Sequence, residues 1–402
     1  MKKVIALSLA SLMVFGLLAG CGGGGAAATP TPTAGGSSGA KVVKIGVYEP
    51  ASGDNGAGGK QETLGIQYAN SVAPTVEIAG ETYQVELVVV DNESSNEKGP
   101  TAAANLVGAG VSVALGSYGS GVSIAGSDVF KNAGIPVVGI TCTNPAVTEG
   151  NSHYFRIRFL DPFQGTVLAN FAADSFQAKT AYALAKLGDD YSVGLCNYFK
   201  KAFEGLGGTV IYDTFPDGNS DFTSYLTNAA NSGADVLFAP VSTEAAALII
   251  EQAATQGITI PVLAGDTWDS NVITQAAKGK NVEIDITTFY QEGGSPDFDA
   301  GFKAWLNADS ARLSNNNGND MIAAVSAMGY DAYFTALEAL KLAGSTDPKA
   351  VNEALWKVSF AGVTGDIAFD DVNGDAIRTV AYVKKVNTES GVWDFVAVQG
   401  VK

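Results

Sequence analysis

Histidine is almost missing from this chain: His153 is the one histidine in 402 residues. A zinc site built on several imidazoles is thereby excluded, and a Ser–His–Asp arrangement has a single candidate base. His153 stands beside Tyr154-Phe155 at the start of a strand-like segment, which is a structural setting. Cations are also scarce. Lys and Arg number 24 against 41 Asp and Glu, for a formal net charge of −17. No Lys/Arg-rich patch is present to neutralise phosphates, so nucleic acid is excluded as a partner. The three cysteines do not make a disulfide framework. Cys142 falls in a loop and Cys196 on a helical pattern, so both read as free thiols. No Gly-x-Ser-x-Gly elbow joins a strand to a helix, no Gly-x-Gly-x-x-Gly follows the first strand, and no metal-ligand cluster or cofactor motif is found. The chain is not expected to be an enzyme or to carry a metal or cofactor. After residue 20, no apolar run approaches membrane length.

What is present is apolar. Hydrophobic residues make up 46% and charged residues 16%, enough for two or three domains with large cores. Lys2 and Lys3 precede an uncharged, largely apolar run from Val4 to Leu18, the pattern of a secretory signal peptide over residues 1–20. It ends in Leu18-Ala19-Gly20-Cys21, which resembles the lipobox of bacterial lipoproteins. The resemblance implies that Cys21 receives lipid and becomes the new amino terminus. Residues 21–41 are rich in Gly, Ser, Thr and Pro, a flexible tether. Together they place the remainder outside the cytoplasm on a lipid anchor.

The most informative stretch is Val111 to Thr148. A short strand, Val111–Leu115, runs into the small polar loop Gly116-Ser117-Tyr118-Gly119-Ser120-Gly121. A helix over Val122–Ala133 follows and Gly134 ends it. The next strand, Ile135–Ile140, enters Thr141-Cys142-Thr143-Asn144-Pro145. In an open parallel sheet such loops lie at the carboxyl edge, where ligands bind. A helix N-terminus with free N–H groups suits a carboxylate, with Ser120 and Thr143 as side-chain donors. Gly/Ser turns with only a conformational purpose have the same composition.

Strand and helix patterns alternate on both sides of this stretch. The strands Val42–Tyr48 and Tyr83–Val90 precede it, with a helix over Lys60–Val72. Phe155-Arg156-Ile157-Arg158-Phe159 alternates as a strand and crosses into a second lobe. There the pattern restarts and closes at Gly265-Asp266-Thr267-Trp268-Asp269. The fold class is α/β: two doubly wound parallel-sheet lobes joined by a multi-strand hinge. The expected boundaries are 42–159 for lobe 1, 160–286 for lobe 2, 287–358 for lobe 1 continued, and 359–402 for the hinge return and C-terminal strands. The strand Val282–Tyr290 is expected to return to the first lobe. Asn373-Gly374 marks a hairpin.

Ile45-Gly46-Val47-Tyr48-Glu49-Pro50-Ala51-Ser52-Gly53 resembles the opening strand and loop of periplasmic leucine/isoleucine/valine-binding proteins of the type I fold. Gly134-Ile135-Pro136, Thr143-Asn144-Pro145, Asp190-Tyr191, Gly265-Asp266, Gly329-Tyr330-Asp331-Ala332 and Gly362-Val363-Thr364-Gly365 keep that family's order and spacing over about residues 43–386. The resemblance implies a solute receptor of an ABC importer that closes on a branched-chain or related amino acid and hands it to a permease. It implies that Ser120 and Thr143 take the ligand's carboxylate. The backbone at Thr141 would join them, receiving the ammonium on its carbonyl or the carboxylate on its N–H. Tyr191 would come from the opposite lobe, and Asp266 would pair with the ammonium. Tyr48, Tyr118, Trp268 and Tyr290 are candidate pocket walls. The chain departs from the family at Tyr118, where smaller residues are common, and at Pro240-Val241-Ser242-Thr243, where an aromatic is common. The same fold serves ligand-sensing receptors and binders of urea, amides and aromatic acids, which stand as alternatives. The receptor is expected to be a monomer.

The lipobox yields a direct test. Labelled palmitate should enter the wild-type protein and be lost from Cys21→Ala; a mutant that keeps the label would exclude anchoring at this residue.

Overall fold

Residues 40–400 are described by a computed structural model of the chain. The apolar leader, Cys21 and the tether as far as Gly39 lie outside the described residues. From the amino end, β1 (Lys41–Glu49), α1 (Gly56–Val72), β2 (Thr75–Ile78), β3 (Glu81–Asp91), α2 (Gly99–Ala109), β4 (Val113–Gly116), α3 (Ser120–Ala133), β5 (Val137–Gly139) and β6 (Tyr154–Arg156) build the first lobe. Its sheet runs β2-β3-β1-β4-β5-β6 and is parallel except for the β2–β3 hairpin.

The chain then crosses into α4 (Asp161–Ser175), β7 (Thr180–Lys186), α5 (Asp190–Gly205), β8 (Thr209–Phe215), α6 (Thr223–Asn231), β9 (Val236–Phe238), α7 (Thr243–Gln256), β10 (Val262–Ala264), α8 (Asn271–Ala277) and β11 (Ile284–Thr288). It returns for α9 (Pro296–Asn307), α10 (Ser310–Asn315), α11 (Ala324–Ala343), α12 (Pro348–Leu355) and the hairpin of β12 (Ser359–Gly362) and β13 (Gly365–Ala368). The last strands, β14 (Ala381–Asn387) and β15 (Val392–Gln399), complete a second sheet of order β15-β14-β11-β10-β9-β7-β8.

The parallel parts share one winding, β3-β1-β4-β5-β6 and β8-β7-β9-β10-β11. Each reverses direction once, between β1 and β4 and between β7 and β9. The loops after those strands flank the crevice where such sheets take ligands.

Two expectations need correction. The strand expected over 282–290 to return to the first lobe is β11, paired parallel with β10 and antiparallel with β14 in the second sheet. The crossing comes after Thr288, and Phe289 and Tyr290 already pack into the first lobe's core. Five parallel strands complete the second layer before the chain can leave it. The turn at Asn373-Gly374 forms, closed by a bridge between Phe369 and Ala376 and by the Asp370 carboxylate accepting from three backbone N–H groups. No long hairpin grows from it, because the chain continues from there into β14.

The period-two pattern of β1 decides its two faces. Val43, Ile45 and Val47 face the core shared with α1 and α11, while Tyr48 faces α2 and α3. α1 and α11 touch backbone to backbone. A Cβ on Gly65 would lie 1.9 Å from the Ser326 carbonyl oxygen, and one on Gly329 would lie 2.3 Å from that of Glu62. Neither partner is a flexible side chain, so the helices themselves would have to separate. Gly65→Ala should therefore lower the free energy of urea unfolding by about 1–3 kcal/mol. A change below about 0.5 kcal/mol would show that this contact is slack.

Candidate functional site

The loops that follow β4, β5, β7, β9 and β10 meet where the two lobes touch. Ser120 is the first residue of α3, and its hydroxyl oxygen accepts the N–H groups of Thr143 and Asn144, both at 3.2 Å. This ties the two serine/threonine loops together and leaves the Ser120 proton free to donate. Thr143 Oγ1 is buried beside the Asp161 carboxyl, which it influences, without a close hydrogen bond to it. The Thr141 hydroxyl donates to Glu62 Oε2 at 2.8 Å, and its carbonyl accepts from Arg158.

From the second lobe, Tyr191 enters at the start of α5, where the Asp189 carboxylate caps the helix by accepting the Ser192 N–H. The Tyr191 hydroxyl donates to Asp266 Oδ1 at 3.0 Å. Only glycine fits at 265, because a Cβ there would lie 2.3 Å from that hydroxyl. Asp266 Oδ1 also accepts from Gln164 Nε2 at 2.8 Å, and Oδ2 pairs with Arg158 Nη1 at 2.7 Å. The loop below is pinned by Asp269 Oδ2, which accepts from the buried Lys384 at 2.9 Å and from Thr288. Ser120, Thr141, Thr143, Tyr191 and Asp266 thus form one connected cluster drawing on both lobes.

The proposed walls divide. Tyr118 lies in the cleft and spans it, its hydroxyl donating to the Thr267 carbonyl at 3.1 Å. The other three do not line it. Tyr48 is on the far face of β1, edge-on to Phe130 at 5.4 Å, with its hydroxyl on the Val122 carbonyl. Strand alternation turns it away from its neighbours Val47 and Glu49. Trp268 is fully buried in the second lobe, its indole N–H donating to the Val241 carbonyl. Tyr290 turns into the first lobe, donating to Asp299 and meeting Phe298 edge-on. Cys142 and Cys196 are buried free thiols. Among the described residues, no group of three or more His, Cys, Asp or Glu is arranged to hold a metal ion.

Sequence reasoning missed Arg158, Glu62, Asp161 and Gln164. Arg158 is completely buried, with Nε and Nη2 unpartnered. Both carboxylate oxygens of Asp161, Glu62 Oε1 and Gln164 Oε1 are also buried and unpartnered. The available signal was Arg156 and Arg158, two residues apart in an alternating run at a lobe crossing, in a chain poor in cations. Arg156 meets a structural partner, Asp375, at 2.7 Å.

The family model for periplasmic binding proteins matches residues 42–391. A Leu/Ile/Val-binding protein homolog of Brucella abortus is 31% identical over 367 residues, 90% of this chain and 95% of the relative. Among solved structures, the leucine-binding protein LivK of Thermotoga maritima superposes with a TM-score of 0.78 at 34% identity, covering 89% of this chain and 99% of that one. The branched-chain amino acid transporter substrate-binding protein LivJ of Streptococcus pneumoniae, solved with isoleucine, gives 0.76 at 26%, covering 90% and 100%. No helix of the described residues is long and apolar enough to cross a membrane.

Burial sets the protonation of the acids in the cleft. It pushes Glu62 up to about 8 and Asp161 up to about 7. Glu49, whose carboxylate accepts the Tyr118 N–H, is raised well above the carboxylate range by burial and by neighbouring Glu62. Each group binds protons more tightly folded than unfolded. Their contribution to stability is whole below about pH 4 and is lost as pH rises through the folded values near 7 and 8. Asp285, raised to about 7 elsewhere in the second sheet, acts with the same sign. The melting temperature should thus be higher near pH 5.5 than near pH 8.5, and Glu62→Gln should flatten that slope. An equal slope in the mutant would mean that Glu62 ionises without cost.

Proposed function

The chain belongs to the periplasmic binding protein family, and from that premise we propose that it is the extracytoplasmic solute receptor of an ABC importer, closing its lobes on a small carboxylic acid of branched-chain amino-acid size. Cys21 would tether it to the membrane, where it delivers the solute to its permease. Covalent chemistry is not required of it.

One observation carries this reading. Polar groups of both lobes converge on the crevice at the sheet reversals, and several of them are buried yet unpartnered. Buried polar atoms are nearly always hydrogen-bonded, so such a concentration marks a place built for a partner. The Ser120 proton and Thr143 Oγ1, beside the N-terminus of α3, supply donors for a carboxylate. Tyr191 and Asp266 reach the same cluster from the other lobe. A ligand touching both sides favours closure, because it shifts an equilibrium only through contacts made in one state. The leucine- and isoleucine-binding relatives support the size of the solute.

Charge-assisted hydrogen bonds contribute about 1.5–3 kcal/mol each. In calorimetric titration with the solute found by a thermal-shift screen, Ser120→Ala and Thr143→Val should each weaken binding by about tenfold or more. Unchanged affinity in both would remove these loops from the site.

A further inference from the structure

Arg158 decides what the other end of the ligand can be. Its guanidinium lies against an edge-on pair of aromatic rings at the lobe crossings, with its central carbon 4.8 Å from the Phe159 centroid and 4.2 Å from that of Phe289. Nη1 donates to the Thr141 carbonyl and to Asp266 Oδ2. These are the acceptors on which the resemblance would seat an amino-acid ligand's ammonium. The remaining oxygen, Asp266 Oδ1, is occupied by Gln164 and Tyr191. A cation belonging to the protein therefore stands where the ammonium would sit. Arginine cannot escape by losing its proton, and a second cation placed there would meet like charge in a dry site.

The free edge of the same side chain points to the complementary group. Nε and Nη2 lie side by side on a planar guanidinium and are buried without partners. Two parallel N–H groups of this kind match a carboxylate in two-pronged fashion. The Ser120 and Thr143 hydroxyls belong to the same cluster of loops, and Tyr118 spans the cleft beside it.

We infer that Arg158 replaces the ligand's ammonium, so that the receptor selects small carboxylic acids lacking an α-amino group: keto, hydroxy or aromatic acids of branched-chain size. This rests on the reading of the cleft as a solute site. Asp161 and Glu62 also leave oxygens unpartnered; an ammonium seated on them would make the amino acid the better ligand.

Calorimetric titration of the full chain with leucine, its α-keto acid, its α-hydroxy acid and benzoate separates these outcomes. At least one amine-free acid should bind wild type about tenfold or more tighter than leucine. Arg158→Met, similar in reach and apolar, should reverse that order by releasing Thr141 and Asp266 to an ammonium. Wild type binding leucine more tightly than all three amine-free acids overturns the inference while leaving the solute-site reading intact, and needs no mutant to fold. Binding of none of the four overturns the inference, and no thermal shift from any amino acid, amide or organic acid in the screen removes the solute-site reading as well.

Discussion

A buried guanidinium must find its counter-charge inside the protein, and Arg158 finds it across the cleft. The arginine sits on the first lobe crossing, against Phe159 and Phe289, and Asp266 lies at the start of the loop after β10 in the second sheet. Removing two ions from water is expensive, and a pair of this kind returns the expense only when its geometry is good and its other hydrogen bonds are met. Asp266 meets that condition through Gln164 and Tyr191. Such a pair adds little net stability, but it fixes position: either partner alone would be an uncompensated charge. The loops after β5, β7 and β10 are held in mutual register by that requirement.

Away from the crossings, where Phe163 and Val167 of α4 and Ala381 of β14 pack against the first lobe's core, much of the contact between the lobes is polar. Gln61 of α1 exchanges hydrogen bonds with Ser270 and Asn271, and Asn271 reaches on to Asn319. Asn144 donates to the Asp190 carbonyl, and Lys186 pairs with Asp54. Most apolar groups lie on the two faces of each lobe's own sheet, and the shared ones, such as Val167 and Ala381, sit at the crossings. Parting the lobes would hand amides and hydroxyls to water, which satisfies them, and would leave both cores closed. A hinge works under this division, since opening a polar seam is cheap and opening a core is not.

The sheets were legible because their signals are local. Val43, Ile45 and Val47 alternate, Gly134 and Gly257 stop helices in left-handed conformation, and strand-loop-helix repeats admit one handed winding. The family resemblance pointed to Ser120, Thr143, Tyr191 and Asp266, which the fold gathers into one cluster. Its side-chain walls were less legible. Tyr48 was chosen for lying next to a site loop, although the pleat that buries Val47 on one face sends Tyr48 to the other. Trp268 and Tyr290 look alike as loop aromatics, and only the positions of Val241 and Asp299 show them turned inward. Arg158 was least legible of all. In sequence it matches Arg156, two residues earlier in the same alternating run, and only their partners distinguish a structural arginine from one that stands in the cleft.

That difference of partners bears on how such a scaffold can change its solute. The fold supplies crevice, hinge and helix N-terminus whatever the ligand, because these follow from sheet winding. The charge of the ligand is set by a few side chains at the strand ends. Holding Asp266 with a cation that belongs to the protein removes the need for the ligand to bring one. It also reduces the entropic cost of binding, since the guanidinium is already held by Thr141 and Asp266 and packed against two rings. One arginine on a lobe crossing thus alters the charge balance of the cleft without touching either sheet.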